Sequence, residues 1–341
     1  MRYWAFTGGF GYENLALHEA ETPRPGPRDV LIEMRAAALN FRDLVVLNGQ
    51  HGRAVQPPLI PLSDGVGIVV ETGSEVRDLA PGDRVAPCFF QNWEGGGPPS
   101  DLEAARLGGP LDGVLCSHRV LPSGGVVRVP AHLSDTEAAT LPCAGVTAWS
   151  ALSGNVPVRP GETVLILGSG GVALMAVLLA RAAGARTIVT TSSAERAERL
   201  RALGADEVID RAATPDWASE VRALTGGAGV DRVLELGGAR TLGDAIRSVR
   251  TGGQIILIGN VTGNKAEVFL PAVLTRQLTL RSVTVGSKEA FVAMNRALDQ
   301  HRLHPVVGAV FGFDEAADAF RALEGQSVFG NICIRIVQDA D

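Results

Sequence analysis

Residues 163–210 constrain the chain more than any other stretch, because they set a strand, a glycine turn, a helix and a second strand in succession. The run TVLIL at 163–167 is short, apolar and β-branched, as a buried parallel strand requires. Gly168, Gly170 and Gly171 make a tight turn. An apolar helical stretch follows at 172–183, and Gly184 stands where a helix C-cap glycine belongs. A second β-branched strand is expected at 187–191. In this setting the glycines let the backbone approach a pyrophosphate, and the helix N-terminus offers its unpaired N–H groups to the anion. Ala173 occupies the third fingerprint position, an accepted variant where helix and strand pack closely. Gly168, Ser169, Gly170, Gly171 and Val172 are therefore the expected cradle of a dinucleotide. A glycine-rich loop of some other α/β protein would lack the surrounding strand–turn–helix–strand order.

The end of the second strand indicates which dinucleotide. An NAD site places an Asp or Glu about 20 residues past the first glycine, for the ribose 2′-hydroxyl. This chain instead has Thr190, Thr191, Ser192 and Ser193. Arg196 lies one helical turn after Ser192, and Arg211 follows a third strand at 207–209. Hydroxyls with two guanidinium groups suit a 2′-phosphate, since Arg forms bidentate, charge-assisted bonds to phosphate. The expected cofactor is NADPH; the alternative leaves Arg196 and Arg211 as surface charges.

Composition narrows the rest. The 341 residues suffice for two ordinary domains, and 46% hydrophobic with 20% charged residues describes a globular chain. A net charge of −6 and 5% aromatic content support neither nucleic-acid binding nor a row of base-stacking platforms. No apolar run suits a bilayer span, and the chain opens on Met1-Arg2-Tyr3-Trp4 without a leader pattern. The four cysteines, Cys88, Cys116, Cys143 and Cys333, form no CxxC pair, so a disulfide framework or zinc knuckle is not indicated. A reducing, cytoplasmic setting is expected, with no nucleic-acid and no membrane partner.

Along the chain, the first third is strand-rich with Gly and Pro punctuation. Strands are expected at 16–21, 30–36, 65–72 and 84–88, a short helix at 40–48, and a long loop at 89–113 carrying a small helix at 101–107. That pattern suits a distorted barrel. From about 145 helices and strands alternate, as an open parallel sheet requires: helices at 217–225 and 243–249, strands at 230–236, 254–259 and 277–285. A helix at 288–300 leaves the sheet, and a helix at 313–324 with a strand at 331–337 is expected to return to the first domain.

At this point the chain resembles the medium-chain dehydrogenase/reductase superfamily over essentially its whole length. PLSDGVGIVVETGSEVRDLAPGDRV at 61–85 is similar to that family's barrel signature, LPCAGVTAW at 141–149 to its interdomain crossing, and GSGGV at 168–172 to its cofactor turn. The resemblance implies an α/β fold: a doubly wound Rossmann sheet (145–285) inserted in a GroES-like β-barrel domain (1–144 with 286–341). It also implies a cleft where nicotinamide meets substrate, and usually dimers or tetramers, of which a homodimer is expected here. Zinc-dependent members have a Cys before the Asp of the first active-site helix, a His-Glu pair at the start of the barrel signature, and a Cys or His at the crossing. Here these positions hold Asn40, Ser63-Asp64 and Cys143. One thiolate cannot supply the three protein ligands of a catalytic zinc, so no metal is expected. LNFRD at 39–43 is similar to the motif of quinone oxidoreductases and of the enoyl-reductase domains of fatty-acid and polyketide synthases. Ser192, Arg196 and Arg211 match the spacing of the Ser, Lys and Tyr that hold the 2′-phosphate in quinone oxidoreductases. Two tyrosines of these relatives are replaced here by Val45 and His51.

Without a metal an alcoholate lacks a Lewis acid, whereas a conjugated C=C bond or a quinone avoids that need. The expected reaction is hydride transfer from NADPH to a small apolar conjugated carbonyl compound or quinone. Asn40 either donates to substrate or caps a helix. Arg42 and Asp43 either pair structurally or act in catalysis. His51 is the titratable candidate for a proton donor, or a solvated loop histidine. By resemblance Thr147 touches the cofactor and Asn331 approaches the nicotinamide; Gly259 completes the cofactor set. Cys143 is either a pocket wall or a reactive thiol, and Phe89, Phe90 and Trp93 either line the substrate pocket or belong to the core. A metal-free carbonyl reductase or alcohol dehydrogenase, and a non-catalytic NADPH-binding protein, are the competing readings.

Overall fold

The computed structural model describes residues 1–51 and 55–337. The chain divides into two compact units, Met1–Val146 with the chain from Val285 onward, and Thr147–Thr284. In the first unit β1 (Arg2–Phe6) pairs antiparallel with β2 (Leu15–Glu19). The hub is β3 (Asp29–Leu39), whose tail of small residues, Ala36–Ala38, is wholly buried. The short helix α1 (Phe41–Leu47) leaves its end. Next come β4 (Asp64–Thr72), β5 (Arg84–Pro87), β6 (His118–Pro122), β7 (Val126–Arg128) and α2 (Asp135–Ala139). Helix α2 starts on a capping box in which Ser134 and Glu137 satisfy each other's backbone. A π-helical turn, Leu141–Gly145, follows, and α3 (Val146–Ser153) begins the second unit.

The second unit holds β8 (Thr163–Leu167), α4 (Gly171–Ala182), β9 (Arg186–Thr191), α5 (Ala194–Leu203), β10 (Glu207–Asp210), α6 (Trp217–Leu224), β11 (Val230–Glu235), α7 (Leu242–Ser248), β12 (Val249–Leu257), α8 (Leu270–Thr275) and β13 (Thr279–Ser282). All its strand pairs are parallel, in the order β10-β9-β8-β11-β12-β13. Numbered from β8 this is 3-2-1-4-5-6, the doubly wound dinucleotide-binding order, with the switch point between β8 and β11. Val164, Leu165 and Ile166 are fully buried, as a strand covered on both faces should be.

The chain then re-enters the first unit through α9 (Lys288–His301), β14 (Val307–Gly312), α10 (Ala316–Glu324) and β15 (Asn331–Arg335). Strand β15 pairs with β14 and, antiparallel, with β3, giving a seven-stranded sheet β14-β15-β3-β4-β5-β7 with β6 also on β3.

Three expectations change in detail. The strand expected over 277–285 is only four residues long, because Gln277 and Val285 adopt left-handed backbone (φ 51 and 53) that no strand continues through. The helix expected at 101–107 is a 3-10 turn, Leu102–Ala105, without a side-chain cap. Strands β1, β6, β7 and β14 have no counterpart among the strands expected from the sequence.

Candidate functional site

In the second unit, Gly168 ends β8 with φ 98, a conformation that side chains disfavour, and donates its N–H to Thr190 O at 2.8 Å. A Cβ added at Gly168 or Gly170 would meet nothing within 4 Å, so the space above the turn is open to a ligand. Gly170 heads the twelve-residue helix α4 with no side-chain cap, which leaves the helix's first N–H groups to an anion. Ser169 is buried beside them, and Gly171 and Val172 are half-buried. These features fit a dinucleotide pyrophosphate.

The end of β9 carries no carboxylate. The hydroxyls of Thr190 and Thr191 are buried without hydrogen-bond partners. Ser193, not Ser192, caps α5 by accepting the Arg196 N–H at 3.4 Å, and Ser192 is left exposed beside it. Arg211 follows β10, donates its N–H to Thr191 O at 2.8 Å, and has a buried Nε without a partner. Thr147 is buried near the start of α3. Gly259 lies just past β12, where a Cβ would stand 2.1 Å from Leu236 O; close backbone packing already accounts for its glycine.

In the first unit a polar cluster gathers around α1. The Asn40 backbone N–H donates to Asp43 Oδ2 at 2.7 Å, so Asp43 closes the helix start. The Asn40 amide nitrogen is buried beside Asp64 and lowers that carboxyl as a hydrogen-bond donor does, though no hydrogen bond of full geometry joins them. Arg42 donates to Leu107 O at 3.1 Å, Gly108 O at 3.1 Å and Gly109 O at 3.3 Å, reaches Asp43 Oδ1 at 3.4 Å, and lies over the Phe89 ring. Its observed work is to pin the 107–109 loop to α1.

The sequence marked Asp64 only as standing at a zinc-ligand position of related enzymes and gave it no role of its own. It is fully buried; Ser63 Oγ donates to its Oδ1 at 2.6 Å and the Cys143 N–H to its Oδ2 at 2.8 Å. Burial pushes the Asp64 carboxyl up to about 7, against the Ser63 and Cys143 donors and with help from the Asp43 charge. Burial likewise raises Asp43 to about 6, opposed by Arg42. Both are raised in the folded state, so the stability they contribute is fully present below the unfolded value near 4 and is lost as pH rises through 6 to 7. The melting temperature of Asp64→Asn relative to the parent is therefore expected to climb between pH 4 and 7 and to level off above that. A difference that stays constant with pH would contradict the burial of a titrating carboxyl there.

The remaining candidates are dispersed. His51 stands edge-on against Phe10, with ring centroids 4.5 Å apart. Asn331 opens β15 with its amide nitrogen donated to Val306 O at 2.9 Å, the role of a strand terminus. Phe89 and Phe90 are buried edge to face at 4.7 Å. A groove of about 640 Å³ beside β14, lined by Arg2, Phe313, Asp314 and Arg335 among others, contains none of the candidate residues.

Comparison with known proteins follows the same division. Residues 26–131 match the family described as alcohol dehydrogenase GroES-like domain, and residues 171–300 the family described as zinc-binding dehydrogenase. The zinc-type alcohol dehydrogenase-like protein of Schizosaccharomyces pombe is 37% identical over 98% of this chain and 99% of its own. A 2-haloacrylate reductase from a Burkholderia species is 29% identical over 95% of this chain and 96% of its own. The crystal structure of a putative alcohol dehydrogenase from Sinorhizobium meliloti superposes with a TM-score of 0.93 at 36% identity, covering 98% of each chain.

Zinc, implied by some of these names, does not fit the residues present. Among the described residues no group of three or more His, Cys, Asp and Glu side chains is placed to hold a metal ion. Of the four residues at the positions in question, Asn40 and Ser63 are neutral, and both oxygens of Asp64 already accept protein donors. A catalytic zinc takes three protein ligands of N, S or carboxylate type.

Proposed function

The chain belongs to the medium-chain dehydrogenase/reductase superfamily, an oxidoreductase family, and on that footing we propose that it is an NADPH-dependent reductase of a conjugated carbonyl compound or quinone that works without a metal ion. The observation that supports this reading is the Asn40 amide, a buried donor beside a carboxylate whose two oxygens already accept from Ser63 and Cys143. NADPH supplies a hydride. The glycine turn and the α4 N-terminus bind its pyrophosphate, and Ser192, Arg196 and Arg211 bind its 2′-phosphate. The Asn40 N–H group donates to the substrate's carbonyl oxygen, where negative charge grows as the β-carbon or quinone ring accepts the hydride. Arg42 and Asp43 hold α1, and so Asn40, in place. The proton that completes reduction at the α-carbon comes from His51 or water. Similarity to a protein named for reducing 2-haloacrylate favours an activated C=C bond over a simple ketone.

The same reading includes a homodimer and a cytoplasmic setting. Strand β13 is a short, exposed sheet edge, and Phe269, Leu270 and Leu274 near it on the chain are 72%, 62% and 71% exposed, an apolar surface that a second copy would cover. None of the four cysteines is joined in a disulfide, and no described helix is long and apolar enough to cross a membrane.

The test is a steady-state panel of enones, quinones, aldehydes and alcohols with NADPH and NADH or their oxidised forms. Turnover of enones or quinones with NADPH is expected. Turnover confined to alcohols and simple ketones would replace this reading with a carbonyl reductase, and cofactor binding with no turnover would replace it with a non-catalytic role.

A further inference from the structure

Glu235 is the last residue of β11 and is 1% exposed. A carboxyl group so deeply buried is costly unless hydrogen bonds compensate it. Its Oε1 accepts from the N–H groups of Gly237 at 2.7 Å and Gly238 at 2.8 Å and from the Thr241 hydroxyl at 2.7 Å. Its Oε2 is buried and accepts none, so the bonding falls on one oxygen. The donors are spread over the turn after β11 up to the residue that precedes α7. A single atom therefore fixes the course of the chain over 236–241.

The Glu235 backbone does the same for the neighbouring strand. Its carbonyl oxygen accepts from Ile258 at 2.9 Å and Gly259 at 3.1 Å, just past the end of β12. The two loops then bind each other. The Thr262 N–H donates to Gly237 O at 2.8 Å, the Ala239 N–H to Gly263 O at 3.3 Å, and the Arg240 N–H to the Thr262 hydroxyl at 3.0 Å. At two points they meet backbone to backbone. Gly238 has φ 99, and a Cβ there would stand 2.7 Å from Asn260 Cα; at Gly259 it would stand 2.1 Å from Leu236 O. Residues 236–241 and 258–263 thus form one bonded surface, keyed through the Glu235 side chain.

That surface stands at the carboxyl ends of β11 and β12. In a doubly wound sheet a dinucleotide lies across the carboxyl ends at the switch point, one mononucleotide over each half. Strands β8, β9 and β10 carry the glycine turn, the hydroxyls at 190–193 and Arg211, the features that suit the adenosine half. Strands β11 and β12 lie on the other side of the switch point, under the nicotinamide half.

We propose that Glu235 is a positioning residue for the nicotinamide half of the cofactor: its Oε1 locks the loops after β11 and β12 into the wall against which that half rests. The inference deepens the reading above and rests on its dinucleotide, not on the 2′-phosphate. Glu235 touches neither cofactor nor substrate; it acts through the loops it holds. Loss of the lock leaves the adenosine site on β8–β10 as it was and removes only what the nicotinamide half gains from a preformed wall. The lock needs an acceptor at Oε1, so Glu235→Gln keeps it and Glu235→Ala removes it.

The experiment is fluorescence titration of the full-length parent, Glu235→Ala and Glu235→Gln with NADPH and with 2′,5′-ADP, its adenosine half alone, and in parallel with NADH and ADP. Glu235→Ala is expected to raise the Kd of the dinucleotides roughly tenfold, the worth of about one hydrogen bond. It is expected to leave 2′,5′-ADP and ADP within about twofold of the parent, because their site is distant from the change. Glu235→Gln is expected to hold dinucleotide binding within about twofold of the parent. A general loss of structure would not separate the two halves. Equal losses for dinucleotide and fragment, unchanged dinucleotide binding in Glu235→Ala, or a Gln variant as weak as the Ala variant would overturn the lock. Should Glu235→Ala fail to fold, Thr241→Val removes one of the three donors and must weaken the dinucleotides by about threefold with the fragments unmoved. A parent that binds NADH and ADP more tightly than NADPH and 2′,5′-ADP overturns the NADPH reading, and the lock is then judged on NADH against ADP.

Discussion

Arg196→Ala is expected to raise the Kd for NADPH by roughly 10- to 100-fold and to leave that for NADH within about twofold. A charge-assisted hydrogen bond contributes about 1.5–3 kcal/mol, and each 1.4 kcal/mol is tenfold in affinity. The expectation follows from where the residue stands. Arg196 lies in the first turn of α5, just after the exposed Ser192, with its backbone held by the Ser193 cap. Strand β9 ends in Thr190 and Thr191, so no carboxylate there would repel a phosphate or bind a 2′-hydroxyl. Losing the guanidinium removes an attraction that only the phosphate feels. Equal losses for the two cofactors would mean that Arg196 supports the fold of α5 and not the 2′-phosphate.

Asn40→Ala is expected to lower kcat by about 100- to 1,000-fold, the usual effect of deleting one donor that faces a developing oxyanion. Helix α1 should survive the change, because its start is closed by Asp43 accepting the residue-40 backbone N–H at 2.7 Å, a bond that alanine retains. The melting temperature and the Kd for NADPH are therefore expected to stay near the parent's while turnover falls. A variant that loses stability and turnover together would assign Asn40 to the helix cap.

The cofactor half was legible in the sequence because its signals are local. A glycine that must take φ 98, a helix that starts immediately after it, and a strand whose end lacks an acid are all read within thirty residues. The fold class followed for the same reason: the strands of the parallel sheet are β-branched runs bounded by turns. What the sequence hid depends on contacts across the chain. Asp64 opens an apolar strand and looks like turn punctuation; its meaning comes from the Cys143 N–H, 79 residues away. Glu235 was hidden likewise, since its partners Gly237, Gly238 and Thr241 read as a loop. The Asn40 ambiguity was a local one that sequence could not resolve, because both a cap and a substrate donor ask for the same residue type. Backbone geometry decided the length of β13, where left-handed residues at 277 and 285 trim a run that looks continuous by composition.

The most direct measurement is NADPH-driven turnover of an enone or of 9,10-phenanthrenequinone by protein stripped with a strong chelator and checked for metal content. The chain's own donors are predicted to sustain the full rate in protein that contains no stoichiometric zinc. A rate that disappears on stripping and returns with one equivalent of zinc would contradict the account.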